Sequence, residues 1–389
     1  MYLAHWSIAR SGGDRETTAS GIGWELFRNY LIAKEKFRPD FFLYENNKSA
    51  APAIKSQIGQ ELGVDLVHIN SALVSAQNRE RFYAFNWRVD QPEDRGILLK
   101  DVLLDDADAT GYRIKDLTEN EMLYMLRIVG KSERERESKS RNHFDFGYQS
   151  YDWNEKSACV VANWSKGVPY NVLVQRVENT GVGCLRIGTI ENEAKNQSKH
   201  DSKQYRIYSP IAKATTLCGE GGGVGAKTGL YLVPTKHTVG RPIYTVKNHI
   251  ITVAGDDYYI NLDDGDYMVR KLLPEEAELL QTLPVGYTAS VSTTQRLRGL
   301  GNGWTAEVII HILNGSIGDL PRDTPLQVLS MYDGIGTGRY CLDKMGFTNV
   351  EYHAYEIDKY AMKVASTNYP DIIQHGDAFQ LRDDGWRLN

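Results

Sequence analysis

Four cysteines in 389 residues, none in a Cys-x-x-Cys pair, leave little material for a disulfide framework or a zinc site. Cys159, Cys184, Cys218 and Cys341 are scattered, and they read as reduced thiols of a cytoplasmic protein. No apolar run is long enough to span a bilayer, and the first residues are polar and aromatic rather than signal-like, which argues against export. Basic charge is not in excess: 45 Lys and Arg against 50 Asp and Glu leave a net charge of −5. No global field attracts a polyanion, so any nucleic-acid contact has to use local patches. Apolar material is plentiful. With 41% hydrophobic residues the chain can build a large core, and its length suggests about two or three domains.

Residues 21–105 alternate helix and strand. Trp24, Phe27, Leu31 and Ala33 give one apolar helical face. Residues 40–44 read as a buried strand, 54–62 as a helix, and 66–69 and 82–86 as further strands, which is α/β patterning. From 106 to 265 the pattern changes. Short β-like runs (Cys159-Val160-Val161, Val172-Leu173-Val174, Leu230-Tyr231-Leu232-Val233) are separated by glycine and polar loops, and residues 131–141 form a mixed-charge run. This region reads as an inserted β-rich domain. The α/β character then resumes, with helices expected over 275–283 and 304–313 and a Gly, Ser, Asp and Pro linker over 315–325. A strand at 326–331, a helix from Gly338, a strand at 352–356, a helix at 359–368 and a short strand near Ile372 follow. The expected divisions are 1–105, 106–265, 266–314, 315–325 and 326–389.

Three strand ends near the C-terminus carry chemistry in a consistent order. The first is Tyr332-Asp333-Gly334-Ile335-Gly336-Thr337-Gly338, where glycines let a ligand approach the backbone and the following helix N-terminus favours polar or anionic groups. The second is Tyr355-Glu356-Ile357-Asp358, with an acidic residue placed to accept from ribose hydroxyls. Asp358 also reads as a helix N-cap. The third is His375-Gly376-Asp377-Ala378, where an Asp can accept from an adenine amine. A lone glycine turn is a weak signal, but the three together point to an adenosyl cofactor. Near the N-terminus, Phe41-Phe42-Leu43-Tyr44-Glu45-Asn46 is a strand ending in a carboxylate and an amide, and in a doubly wound sheet such ends meet at one crevice. Two parts of one site at opposite ends of the chain are the layout expected of a circular permutation. In Gln77-Asn78-Arg79-Glu80-Arg81, alternate side chains of an extended segment share a face, so Gln77, Arg79 and Arg81 point together. Two fixed cations there could hold a base carbonyl or phosphates, or form a surface salt-bridge cluster. Gly221-Gly222-Gly223-Val224-Gly225-Ala226-Lys227-Thr228 has a passing likeness to a P-loop, but Ala226 stands before the lysine where glycine is needed, and ATP binding is not expected.

Read from residue 326 to the end and then on from Met1, these motifs resemble those of the cytosine-5 DNA methyltransferases of bacteria and phages. By that resemblance the glycine turn with Tyr332, Asp333, Gly334 and Gly336, then Glu356-Ile357, then Asp377-Ala378, bind S-adenosylmethionine. Tyr44-Glu45-Asn46 resembles the family's Glu-Asn-Val motif, departing at the valine, where Asn47 stands. Gln77, Arg79 and Arg81 fit its Gln-x-Arg-x-Arg motif. Arg270-Lys271-Leu272-Leu273-Pro274-Glu275-Glu276 resembles the motif that shapes the target-recognition domain. Ser209-Pro210 onward to Gly223 is similar to a glycine-rich stretch near that domain's end. Gly301-Asn302-Gly303-Trp304 is similar to the last motif, whose helix closes the cofactor site. The resemblance implies a Rossmann-like methyltransferase sheet, circularly permuted, with an inserted target-recognition domain and with double-stranded DNA as substrate.

One departure bears on the chemistry. The family's nucleophile is a cysteine in Pro-Cys, four residues before a serine. His5-Trp6-Ser7-Ile8-Ala9 aligns with the downstream half of that motif, which puts Leu3 at the cysteine and Tyr2 at the proline. The apolar strand that leads into Pro-Cys has no counterpart either. The resemblance assigns Glu45 to ring nitrogen 3 of the cytosine, Arg81 to its carbonyl and Arg79 to support of Arg81. Leucine cannot attack carbon 6. Either a second polypeptide supplies the strand and its cysteine, or the chain is a catalytically inactive protein that binds S-adenosylmethionine and DNA. An amino-methyltransferase is disfavoured by the lack of an Asp/Asn-Pro-Pro-Tyr/Phe motif.

Overall fold

The computed structural model describes residues 6, 16–104, 184, 186–189, 206–208, 212–217, 230–234, 244–253, 256–259, 264–270 and 272–388. Leu3, Tyr2, Ser7, Cys159, Cys218, the 131–141 charge run, Ser209-Pro210 and the Gly221–Thr228 glycine stretch lie outside the described residues. The chain divides into two units: Met1–Val102 with Lys213–Gly221 and Pro274–Asn389, and Leu103–Ala212 with Gly222–Leu273.

The first unit is α/β. Helix α1 (Gly21–Phe37) buries Leu26, Phe27 and Ala33, and ends where Arg38 turns left-handed (φ 46°) and donates its backbone N–H to Lys34 O. Burying a side chain such as Phe27 contributes about 2 kcal/mol. Strand β1 (Leu43–Asn47) follows. It begins later than residue 40 and carries Glu45 and Asn46 on buried positions. Helix α2 (Pro52–Leu62) has Pro at its first turn and Gly63 in the left-handed conformation at its end, the residue types that suit those two positions. Strands β2 (Val67–Asn70), β3 (Gln77–Asn78) and β4 (Glu80–Phe85) complete this part. The sheet order is β1-β4-β2, antiparallel throughout, with Glu45 opposite Tyr83 and Ile69 opposite Arg81.

The second unit is a seven-stranded, mostly antiparallel sheet among the described residues, built from β5 (Arg186–Thr189), β6 (Arg206–Tyr208), β8 (Leu230–Pro234), β9 (Tyr244–Lys247), β10 (Ile250–Val253), β11 (Asp256–Tyr259) and β12 (Gly265–Arg270). Between β6 and β8 the chain returns to the first unit. There β7 (Ala214–Thr215) pairs in parallel with β3, and Lys213, fully buried, donates to the carbonyls of Ser75 and Ile97. Polar composition hid this excursion inside the expected 106–265 block.

The first unit resumes with α3 (Pro274–Leu280), α4 (Thr293–Asn302) and α5 (Ala306–Ile317). Residues 315–317, expected as linker, are the last turn of α5, where Ile317 is buried. The remainder is parallel: β13 (Leu326–Met331), α6 (Thr337–Lys344), β14 (Val350–Tyr355), α7 (Lys359–Asn368) and β15 (Ile373–Gly376), in sheet order β13-β14-β15. Asp358 caps α7, accepting from the N–H groups of Tyr360 and Ala361, as its position suggests. No described helix is long and apolar enough to cross a membrane.

Candidate active site

At the C-terminal end of β13, Tyr332 (φ 63°), Gly334 (φ 67°) and Gly336 (φ 79°) take left-handed backbone. Gly334 faces open space: a Cβ there would meet nothing within 4 Å. Gly336 is different. A Cβ would stand 3.1 Å from the Ala365 methyl, so its glycine serves helix packing as well as the turn. The turn is pinned from outside. Tyr287 Oη donates to Ile335 O at 3.0 Å, and Tyr332 Oη donates to Leu26 O at 2.9 Å.

Glu356, 7% exposed, folds back on this turn. Its Oε2 accepts from Gly334 N (3.0 Å) and its Oε1 from Ile357 N and Asp358 N (2.8 and 2.7 Å). A carboxylate has about four acceptor positions, so room remains for a ligand hydroxyl. Asp377 uses Oδ1 to cap the turn Ala378–Arg382, accepting from Phe379 N at 2.9 Å. Beside it, Gly376 also faces open space. Ile357 (42%) and Phe379 (40%) leave apolar surface exposed at the same strand ends. Open glycines, a carboxylate with spare acceptor capacity and two exposed apolar side chains fit an adenosyl group. Asp333 is half-buried with its Oδ2 sealed from solvent; its Oδ1 accepts from Tyr352 Oη at 2.8 Å. Burial pushes its carboxyl up to about 6, against the pull of the Ser330 and Tyr352 hydroxyls.

The second group of residues comes from β1, β3 and β4. Glu45 Oε1 pairs with Arg81 Nε at 3.1 Å, and Glu45 Oε2 accepts from Trp304 Nε1 at 3.3 Å. The Trp304 ring also lies 3.6 Å from where a Cβ of Gly338 would stand, so one indole spans from Glu45 to the helix that opens at the glycine turn. Arg79 is buried and donates to the carbonyls of Leu217 (3.2 Å), Gly301 (3.1 Å) and Gly303 (2.8 Å). Gln77 donates to Leu280 O and accepts from Leu217 N. Gln77 and Arg79 therefore do not present free groups to a base or a phosphate, and only Arg81 of the three faces Glu45. The surface salt-bridge possibility applies to their neighbour Glu80, which pairs with the exposed Lys48. Asn302 is exposed at the last position of α4. Arg298 of the same helix pairs with Asp358 at 3.4 Å. Tyr287 and Arg298 carry no motif of their own, and only contacts across the fold show them; Trp304 and Glu45 each lie in a motif, but their bond is visible only in the fold.

Cys341 does not suit a nucleophile. It is fully buried, its Sγ points to Ala306 O, and burial pushes its thiol far above the ordinary range. Among the described residues no group of His, Cys, Asp and Glu could hold a metal ion.

The chain is 28% identical over 122 residues to DNA (cytosine-5)-methyltransferase DRM2 of Oryza sativa subsp. japonica, covering 31% of this chain and 19% of that protein. It is 26% identical over 229 residues to the orphan methyltransferase M.Rho11sI of Bacillus phage rho11s, covering 55% and 43%. It thus spans less than half the length of either relative. A solved structure of the Entamoeba histolytica methyltransferase EhMeth aligns over 73% of this chain and 64% of that one, at 10% identity and a TM-score of 0.38. S-adenosylmethionine is the methyl donor of cytosine-5 DNA methyltransferases. The family model for C-5 cytosine-specific DNA methylase matches residues 4–317, and the chain belongs to that family.

Proposed function

We propose that this protein is a DNA cytosine-5 methyltransferase that acts on a cytosine flipped out of duplex DNA and receives its nucleophile from a second polypeptide. The observation that carries the reading is Glu45: buried, paired with Arg81, and joined through Trp304 to the helix at the glycine turn. Flipping the base costs a few kcal/mol. Glu45 then engages ring nitrogen 3 and Arg81 the base carbonyl, while Arg79 supports Arg81 by donating to the backbone carbonyls of Leu217, Gly301 and Gly303. S-adenosylmethionine supplies an electrophilic methyl group. Glu356 takes its ribose hydroxyls, Asp377 its adenine amine, and Ile357 and Phe379 the adenine faces. The glycine turn from Tyr332 to Gly336, Ala378 and Asn302 complete the enclosure. A thiolate adds to carbon 6, carbon 5 takes the methyl, and the carbon 5 proton and the thiolate then leave. Leu3 cannot supply that thiolate, and Cys341 is sealed in the core.

Two features of organisation belong to the same reading. The order of the motifs is a circular permutation; in support, residues at both ends of the chain share the first unit, and the family match stops at 317, before the glycine turn. The β-rich second unit serves as the target-recognition domain, reading bases in the major groove.

The test is transfer of labelled methyl to duplex DNA, beside calorimetry of S-adenosylmethionine binding. The chain alone is expected to bind the cofactor and to transfer almost nothing. Glu356→Ala with Asp377→Ala abolishes the heat of binding. No heat from the unmutated protein overturns the cofactor site. Robust transfer by the chain alone overturns the missing nucleophile. Duplex affinity should fall linearly in log affinity against log salt.

A further inference from the structure

The first unit contains two three-stranded sheets, and in each both outer strands pair on one side only among the described residues; the β1 and β13 edges are the ones that shared helices and one indole link. β1 pairs only with β4, and β13 pairs only with β14. β13 is the anomaly. A parallel strand of a doubly wound sheet is apolar because both faces and both edges are covered. β13 reads that way, yet Val328, Leu329 and Met331 are only half-buried, whereas Tyr352, His353, Ala354 and Tyr355 on β14 are buried. The same two helices reach both sheets. On one face α1 packs Phe27 against Tyr44 of β1 (5.1 Å between rings) and Ala33 into the cluster that holds Leu329 and Met331. On the other, α5 packs Leu313 and Ile317 with Leu326 and Val328, while its Ile312 carbonyl accepts from the indole of Trp87 just beyond β4. Trp304 ties the functional ends together, bonding Glu45 of β1 and lying over Gly338 beyond β13. Both strands therefore run toward the same site.

We propose that one strand of a separate polypeptide, apolar on both faces and closed by a Pro-Cys turn, inserts between β1 and β13, parallel to β13, and joins the two sheets into one. The strand follows from the two edges. The role of its cysteine rests on the functional reading above. Edge pairing supplies backbone hydrogen bonds, and α1 and α5 select apolar side chains on its two faces. The direction of β13 delivers the strand's C-terminal end beside Glu45 and the glycine turn. No cysteine of this chain follows a proline: Cys159, Cys184, Cys218 and Cys341 follow Ala158, Gly183, Leu217 and Tyr340. The Pro-Cys turn is therefore assigned to the inserted strand.

The experiment uses the full chain and three synthetic peptides. One has a short Val and Ile run closed by Gly-Ser-Pro-Cys, one ends in Pro-Ser instead, and one has lysine at alternate positions of the run. Binding is followed by fluorescence anisotropy, amide hydrogen exchange and methyl transfer to duplex DNA. The first two peptides should bind saturably and slow exchange at residues 43–47 and 326–331, and the lysine peptide should do neither. Transfer with the Cys peptide should exceed that with the Ser peptide by at least roughly a hundredfold. No binding by a chain that still binds S-adenosylmethionine, or binding without protection of both strands, overturns the inserted strand and leaves the functional reading standing. Protection of both strands without transfer, when cofactor and DNA both bind, upholds the insertion and overturns the catalytic reading.

Discussion

The two three-stranded sheets of the first unit hold their site residues by opposite means. In the C-terminal sheet the contacts that place the carboxylates are local, although the glycine turn is also pinned from outside by Tyr332 to Leu26 O and Tyr287 to Ile335 O. Gly334 to Glu356 spans 22 positions and Tyr352 to Asp333 spans 19, and the strand-turn-helix units place their carboxylates as they form. In the N-terminal sheet they are remote. Arg79 reaches Leu217, Gly301 and Gly303 across 138, 222 and 224 positions, and Trp304 reaches Glu45 across 259. One sheet therefore carries the proposed cofactor cradle with carboxylates held mainly by bonds within its own segment. The other carries a charged pocket that exists only once the rest of the unit has closed around it.

The contrast can be broken most decisively at Arg79. Arg79→Ala leaves three buried carbonyls short of a donor and should destabilise the first unit by about 3–5 kcal/mol, read from the denaturant midpoint. A loss under about 1 kcal/mol would mean that the remote clamp is not what holds the pocket. Glu356→Ala tests the local sheet. It frees the N–H groups of Gly334, Ile357 and Asp358, and cofactor affinity should fall roughly thirtyfold to a hundredfold by calorimetry, with a much smaller change in stability.

Asp333 sharpens the comparison through pH. Its folded value of about 6 lies above the ordinary 3.8, so between those values the folded protein keeps a proton that the unfolded chain has lost. The stability this contributes is full below the ordinary value and disappears as pH rises through about 6. Asp333→Asn should therefore be more stable than the parent above pH 6, by about 2 kcal/mol, and should flatten the pH dependence of the midpoint. Equal midpoints for both proteins at pH 8 would contradict the buried carboxyl. The smallest effect is expected at Lys48–Glu80, an exposed pair one residue from the Arg81 that holds Glu45. Lys48→Met should shift stability by no more than about 0.5 kcal/mol.

Much of the local sheet was legible from residue order. Glycine, Glu and Asp after three apolar runs report strand ends because only certain residue types suit a left-handed turn, a helix cap or a carboxylate facing backbone N–H groups. The helix over 359–368 and its Asp358 cap follow from the same chemistry, and so does α2 between Pro52 and Gly63. The N-terminal sheet was legible in part. Gln77, Arg79 and Arg81 stand at the expected spacing, but Gln77 and Arg79 turn to backbone that arrives from Leu217, Gly301 and Gly303 while Arg81 turns to Glu45. The excursion of residues 213–217 into the first unit, with buried Lys213 under it, has no periodicity to announce it.

By itself the sequence determined the α/β alternation, the three glycine and carboxylate strand ends and the motifs that mark the family, and it raised the expectation that Leu3 stands where the family has its cysteine. These depend on neighbours within a turn or two, where backbone sterics and short-range hydrogen bonds act. Only the tertiary structure decided that Arg79 is a clamp and Arg81 the partner of Glu45, that Trp304 links Glu45 to the helix beyond the glycine turn, and that β1 and β13 each keep an edge open among the described residues. Those outcomes depend on which distant carbonyl, ring or strand comes to lie alongside, and packing sets that rather than spacing along the chain.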